Sequence, residues 1–192
     1  MNIFLAGASG VVGVRLIPLL VAAGHHVTGM TRSRSKADLL RALGAVPVAC
    51  DVYDAEALRA AVKDACPDIL MSQLTDLPDD PSTIGAFSAA NARIRRDGTR
   101  NLLAAASAAG VDRFIAQSVA WKIPGNGGAA VGDMEQMVLD AGGTVIRYGQ
   151  VYGPGTYHDK PAPTGPSIHI DDAARRTCEA LDVEASILTL VE

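Results

Sequence analysis

The chain has 192 residues, of which 48% are hydrophobic and 20% charged, with a formal net charge of −4. That length and balance predict one folded domain over residues 1–192 with a sizeable core, and they exclude a disordered or fibrous chain. The mild acidity, the lack of a long basic run and an aromatic content of only 4% argue against nucleic acid or an anionic membrane as partner.

The chain opens directly on an apolar run, Asn2–Ala6, with no basic leader, and no stretch of apolar residues is long enough to cross a bilayer. A cytoplasmic protein is expected. Cys50, Cys66 and Cys178 are odd in number and widely spaced, so they are expected to be small buried hydrophobes in a reducing compartment, with no metal-ligand spacing.

Further strands are predicted at His26–Met30, Val46–Ala49, Ile69–Gln73, Phe114–Gln117, Thr144–Arg147 and Ser186–Leu190. Helices are predicted at Val11–Ala23, Lys36–Leu43, Ala55–Ala65, Ile84–Ala109, Met134–Leu139 and Asp171–Leu181. Several strands are continuously apolar, as in a parallel sheet covered on both faces. Strand–helix alternation then predicts an α/β fold with a doubly wound, Rossmann-type parallel sheet of about seven strands. Pro18 lies inside the first helix and Gly24 is placed to end it. Two Gly- and Pro-rich stretches are expected to be irregular: Trp121–Gly132, and Gly149–Ser167 with Gly153, Pro154, Gly155, Pro161, Pro163, Gly165 and Pro166.

The sharpest motif is Gly7-Ala8-Ser9-Gly10-Val11-Val12-Gly13, between the first strand and the first helix. Glycines here permit a tight turn, close approach of a pyrophosphate, and close helix–strand packing. The free N–H groups at the helix start, with about half a positive charge of helix dipole, would face the phosphates. The spacing is Gly-x-x-Gly-x-x-Gly, not the standard dinucleotide fingerprint, and a tight strand–helix turn alone would also explain it.

After the second strand comes Thr31-Arg32-Ser33-Arg34-Ser35-Lys36, with no acid until Asp38. An NAD site places an acid there for the ribose, whereas Arg32 can clamp a 2′-phosphate. NADP is therefore expected over NAD. Arg34 is as well explained by a solvated surface. Asp51 and Val52 follow the third strand; Asp51 could accept from an adenine amino group while Val52 covers the ring. Asp54 is a plausible helix N-cap.

Together with Gly98-Thr99-Arg100-Asn101-Leu102-Leu103, Val151-Tyr152-Gly153-Pro154-Gly155 and His169-Ile170-Asp171-Asp172, these segments resemble the extended and atypical short-chain dehydrogenase/reductases. That group includes the NAD(P)-dependent epimerase/dehydratases. The resemblance implies that Leu74 and Thr75 lie along the cofactor's central ribose. It places Gln117 and Ser118 toward the nicotinamide, and Tyr148 through Tyr152 beside its carboxamide. Ser118 takes the place of the family's active-site hydroxyl, which orients a carbonyl or hydroxyl of a small-molecule substrate.

The departures are as informative. The family's Tyr-x-x-x-Lys proton-transfer pair is missing; with Glu135 matched to the family's helix Glu, its places are held by Gly127 and Val131. Tyr152, Tyr157, His158 and Asp159 are the remaining candidates near the site, with Tyr152 the first choice. Arg95 stands where the family commonly has Asn. The substrate-binding portion is much reduced, with 149–170 its remnant.

Arg93, Arg95, Arg96 and Arg100 share one helical segment that could bind an anion, although a solvated face or subunit contact is the expectation; a homodimer is compatible with the family. Asp171 is expected to cap the helix after His169. The expected function is an NADP-binding oxidoreductase or epimerase-like protein. The alternatives are a non-catalytic NADP-binding sensor or scaffold, and a cofactor-independent cyclase or isomerase using the same pocket.

Overall fold

A computed structural model describes residues 1–160 and 162–192; Pro161, one of the prolines of the late link, lies outside the described residues. The main sheet has seven strands: β1 (Asn2–Ala6), β2 (His26–Thr31), β3 (Val46–Ala49), β4 (Ile69–Ser72), β5 (Arg113–Val119), β6 (Thr144–Tyr148) and, at the far edge, β9 (Ile187–Leu190). Their spatial order is β3-β2-β1-β4-β5-β6-β9. Every pairing is parallel. The order reverses between β1 and β4, where an open parallel sheet leaves a crevice at the carboxyl ends of its strands.

Alternation of side chains sends each strand into two cores. In β1, Ile3 and Leu5 join a cluster with Leu16, Ile17 and Leu20 of α1 (Gly13–Ala22), Leu40 of α2 (Ala37–Ala42), and Ala173 and Ala174 of α7 (Ile170–Glu179). Phe4 and Ala6 point the other way. They meet Leu58 and Val62 of α3 (Ala55–Ala65), Leu102 and Ala105 of α5 (Thr99–Ala108), and Met134 and Val138 of α6 (Gly125–Asp140). Pro18 is accommodated inside α1, and Gly24 turns the chain out of it with φ +84°.

The predicted strands form. The expected single helix over Ile84–Ala109 is instead segmented. A 3-10 stretch at Pro81–Phe87 leads into α4 (Ser88–Arg93), and a π-helical turn at Ile94–Gly98 leads into α5. The stretch Trp121–Gly132 is not wholly irregular, because α6 begins at Gly125. A Cβ at Gly128 would collide with the Ile123 carbonyl, so this glycine serves a close backbone approach at the helix entry. The late link also contains order: β7 (Gln150–Tyr152) pairs with β8 (Ser167–His169) as a small parallel ribbon.

Asp54 caps α3 through the Ala57 N–H at 3.0 Å. At α7 the cap is His169, whose Nδ1 accepts from the Asp171 N–H at 3.3 Å, and not Asp171 as expected. The Asp171 side chain is turned to Arg15 instead. The three cysteines are free; Cys50 is buried, but Cys66 is exposed because it occupies the left-handed C-cap of α3, φ +43°. Arg15 of α1 makes three connections. Nη1 donates to the Val11 carbonyl at 3.0 Å, Nε to Asp171 at 3.1 Å, and Nη2 to the Pro154 carbonyl. Among the described residues no helix is long and apolar enough to cross a membrane.

Candidate functional site

The crevice at the β1/β4 reversal is a cleft of about 240 Å³. The turn after β1 forms one wall with Gly7, Ser9 and Gly10. Gly7 has φ +82°, and a Cβ there would lie 2.7 Å from the Gln73 carbonyl carbon and oxygen. A Cβ at Gly13 would lie 2.5 Å from the Gly7 oxygen and 2.6 Å from the Ala8 oxygen. The turn therefore closes only around bare backbone. The N–H groups of Val11 and Val12 take no backbone acceptor among the described residues and stand at the positive end of α1. The Ser9 hydroxyl is 2.9 Å from that of Thr31, which also accepts from the Ser33 N–H, so the turn is tied to the end of β2.

The other walls are Thr31 at the end of β2, Arg32, Ser33 and Lys36 after it, Val52 after β3, Ile94 from the π-turn, and Gln73, Leu74 and Thr75 after β4. Of the expected cofactor residues, Gly7, Ser9, Gly10, Arg32, Val52, Leu74 and Thr75 thus share one cleft; Val11, Val12 and Gly13 form the helix entry behind it. Sequence reasoning does not single out Ser33, Lys36 and Gln73, although Ser33 and Lys36 belong to the same acid-free run as Arg32. The Oε1 of Gln73 is buried without a hydrogen-bond partner.

Arg32 donates through Nη2 to Asp76 at 2.8 Å and is half-exposed. Asp51 accepts from the Tyr53 N–H at 3.0 Å, and the Val52 carbonyl accepts from Asn101 at 2.9 Å. The Tyr53 ring carries the Arg93 guanidinium 4.0 Å above its centroid.

A second group lies at the carboxyl ends of β5 and β6. Ser118 is 2% exposed, and its hydroxyl donates to Glu135 Oε1 at 2.5 Å. Arg147 grips the same carboxylate twice, Nε to Oε1 at 2.8 Å and Nη2 to Oε2 at 2.5 Å. Burial pushes the Glu135 carboxyl up, but the bonds from Arg147 and Ser118, together with the charges of Arg147 and Arg95, outweigh it and hold the group below the usual carboxylate range. Gln117 donates to the Leu74 carbonyl at 3.1 Å.

Tyr148 is buried, 3.2 Å from Gln73 Nε2 and 2.6 Å from the Thr177 hydroxyl, and burial pushes its phenol up to about 12. Tyr152 stands apart from this group. Its hydroxyl donates to Glu192, whose carboxylate raises the phenol above its ordinary value, and its ring meets that of His169 edge-on. Tyr157 donates to the Pro78 carbonyl, joining the loop after β7 to the loop after β4. Gly127 and Val131 both lie on α6, where neither can exchange a proton. Arg95, expected at a solvated face, is only 6% exposed.

A glycine turn at the strand-order reversal of a parallel sheet, opening a helix N-terminus onto a cleft with a basic second rim, defines a dinucleotide-binding protein of the Rossmann type. Comparison with known proteins agrees. The family of NAD(P)H-binding domains matches residues 7–138. A 3-diazoavenalumate denitrifying reductase from a Streptomyces species is 34% identical over an alignment of 231 positions, spanning 97% of this chain and 74% of that protein. The chain belongs to the NAD(P)H-binding family.

In fold it is similar to UDP-glucose 4-epimerase of Thermotoga maritima, crystallised with UDP-glucose. The TM-score is 0.81 at 19% identity, covering 100% of this chain and 77% of that one. The UDP-glucose 4-epimerase of Thermus thermophilus, in complex with NAD, gives a TM-score of 0.80 at 17% identity, over 100% of this chain and 78% of that one. The epimerase-type short-chain dehydrogenase/reductase fold expected from the sequence is the fold observed, and NAD(P)H binding goes with the family.

Proposed function

We propose that the protein is an NADPH-dependent reductase of a small, electrophilic organic molecule. The observation that carries this reading is the cleft itself: a bare-backbone turn under a helix N-terminus, with Arg32, Ser33 and Lys36 on the rim and no acid of β2 among its lining. Val11 and Val12 would hold the diphosphate through their N–H groups. Arg32 and Lys36 would hold a 2′-phosphate, Arg32 exchanging Asp76 for it. When bound, the reduced nicotinamide supplies a hydride.

Reduction of a carbonyl also needs a proton at its oxygen, and the residues at 127 and 131 cannot give one. Ser118 keeps its only proton on Glu135. A substrate whose reacting carbon accepts a hydride while shedding a neutral leaving group needs no such proton. An aryl diazonium is one example: cation plus hydride gives arene plus dinitrogen, and atoms and charge balance. The diazo-substrate reductase from Streptomyces supports this choice of substrate class. The role of the chain is then to bind, orient and exclude water. Ser118 acts by fixing Glu135 and Arg147, and Tyr152 only borders the site.

Calorimetric titration with NADP and NAD, followed by loss of reduced-nicotinamide absorbance with an aryl diazonium salt against the matching aldehyde, tests the proposal. Tighter NADP binding and turnover of the diazonium alone are expected. Absence of binding to either nucleotide removes the proposal. Binding with no turnover of any acceptor favours a second reading, a non-catalytic NADP sensor, for which the occupied Ser118 hydroxyl also speaks.

A further inference from the structure

The segment Arg93–Arg100 contains four arginines, and three are accounted for. Arg93 lies over Tyr53, Arg96 is paired with Asp133 at 2.5 Å and with Asn126 at 3.0 Å, and Arg100 is paired with Asp97 at 2.7 Å. Arg95 differs. It sits in the π-turn, buried together with Ile94 and Gly98, while Arg93 and Arg100 are exposed and Arg96 is half-buried. It is 94% buried by its 6% exposure, makes no ion pair among the described residues, and its Nε has no hydrogen-bond partner.

The one carboxylate close enough to influence it is Glu135. Both oxygens of Glu135 are already taken, Oε1 by Ser118 and Arg147 and Oε2 by Arg147. Glu135 is thus bonded to Arg147 and Ser118, and Arg95 is left without a bonded counter-ion among the described residues. An Arg cannot relieve this by losing its proton. Leaving a buried charge uncompensated is strongly unfavourable in general. The cluster stands at the carboxyl edge of β5 and β6, and Ile94, the residue before Arg95, lines the nucleotide cleft.

We infer that Arg95 binds an anionic oxygen group, carboxylate or phosphate, of the second substrate, with Arg147 and Glu135 setting the charge and orientation of that subsite. This deepens the reductase reading and rests on it for what the bound anion is presented to. Arg95 fixes the far end of the substrate and takes no part in the bond changes.

The test uses the full chain without nucleotide and three small probes of one shape: benzoate, phenyl phosphate and benzamide. Ligand-observed NMR titration gives their dissociation constants for the wild type, Arg95→Gln, Arg95→Met and Arg95→Lys. A lost charge-assisted hydrogen bond should weaken the preferred anion by about tenfold or more in the Gln and Met variants. The Lys variant should retain part of the affinity, and benzamide should be unaffected. Which anion binds tighter to the wild type tells carboxylate from phosphate. Arg96→Gln, at a paired surface guanidinium, should leave all three constants unchanged.

Removing an unpaired buried charge should not lower the melting temperature, so the Met variant remains measurable if the Gln variant unfolds. Equal binding of the three probes to the wild type overturns the inference. So does an anion affinity unchanged by both Arg95→Gln and Arg95→Met. NADP titration of the same variants is expected to match the wild type. Loss of NADP binding in the wild type would sink the reductase reading separately, while the probe series still judges Arg95.

Discussion

Ser118 on β5 and Glu135 on α6 are joined by a 2.5 Å hydrogen bond in a nearly dry interface, and Arg147 closes on the same carboxylate from β6. The Ser118 hydroxyl thus ties the sheet to the helix. Glu135→Gln should lower stability by about 2 kcal/mol through loss of the charged bonds, or roughly 4–8 °C in melting temperature for a chain of this size. Because the folded-state carboxyl is held below its ordinary value of 4.5, its contribution is present at neutral pH and is lost as pH falls through and below that value. Thermal melts of wild type and variant between neutral and acidic pH should therefore converge on the acid side.

The glycine turn makes a sharper demand. Gly13→Val would drive a side chain into the carbonyls of Gly7 and Ala8, the former 2.5 Å from the position of a Cβ. Nucleotide affinity should be abolished in calorimetry, and the melting temperature should drop, because the cradle cannot admit a side chain without moving β1 from α1.

Nucleotide choice can be probed at the β2 rim. Arg32→Ala and Lys36→Ala should each weaken NADP by about tenfold while leaving NAD within about twofold, since only the 2′-phosphate meets these cations. Asp76→Ala should strengthen NADP, because it frees Arg32 from its 2.8 Å partner. Titration of the three variants with both nucleotides checks the set, and equal losses for NADP and NAD would remove Arg32 and Lys36 from the phosphate role.

Tyr148 provides a pH signature at the other extreme. Its phenol is pushed from 10 up to about 12 by burial, so the folded state holds a proton that the unfolded state releases. That stability is complete below pH 10 and is lost as pH rises toward 12. Tyr148→Phe should flatten this alkaline decline and cost about 1 kcal/mol at neutral pH through the lost bonds to Gln73 and Thr177. Ultraviolet titration should show one fewer late-ionising tyrosine.

The sheet is legible in the sequence because each strand is short, apolar and followed by a helical pattern; Ile3, Leu5 against Phe4, Ala6 already encode two covered faces. The cleft is legible because its glycines and the acid-free run are local in sequence. The π-turn is not. A single added residue within Ile84–Ala109 leaves the composition of a helix intact yet moves Arg95 from an expected solvated face into the interior. Gly125–Gly132 misleads for a related reason, because a glycine chosen for close approach looks like one chosen for freedom. Ser118–Glu135 and Arg32–Asp76 join residues 17 and 44 positions apart, and only the folded chain brings them together.

Arg15 has a mechanical implication of its own. One guanidinium spans the glycine turn at Val11, the loop at Pro154 and the start of α7 at Asp171, so these three pieces answer to one another as a linkage. A displacement of the glycine turn is therefore carried to the loop at Pro154 and to α7 through one guanidinium.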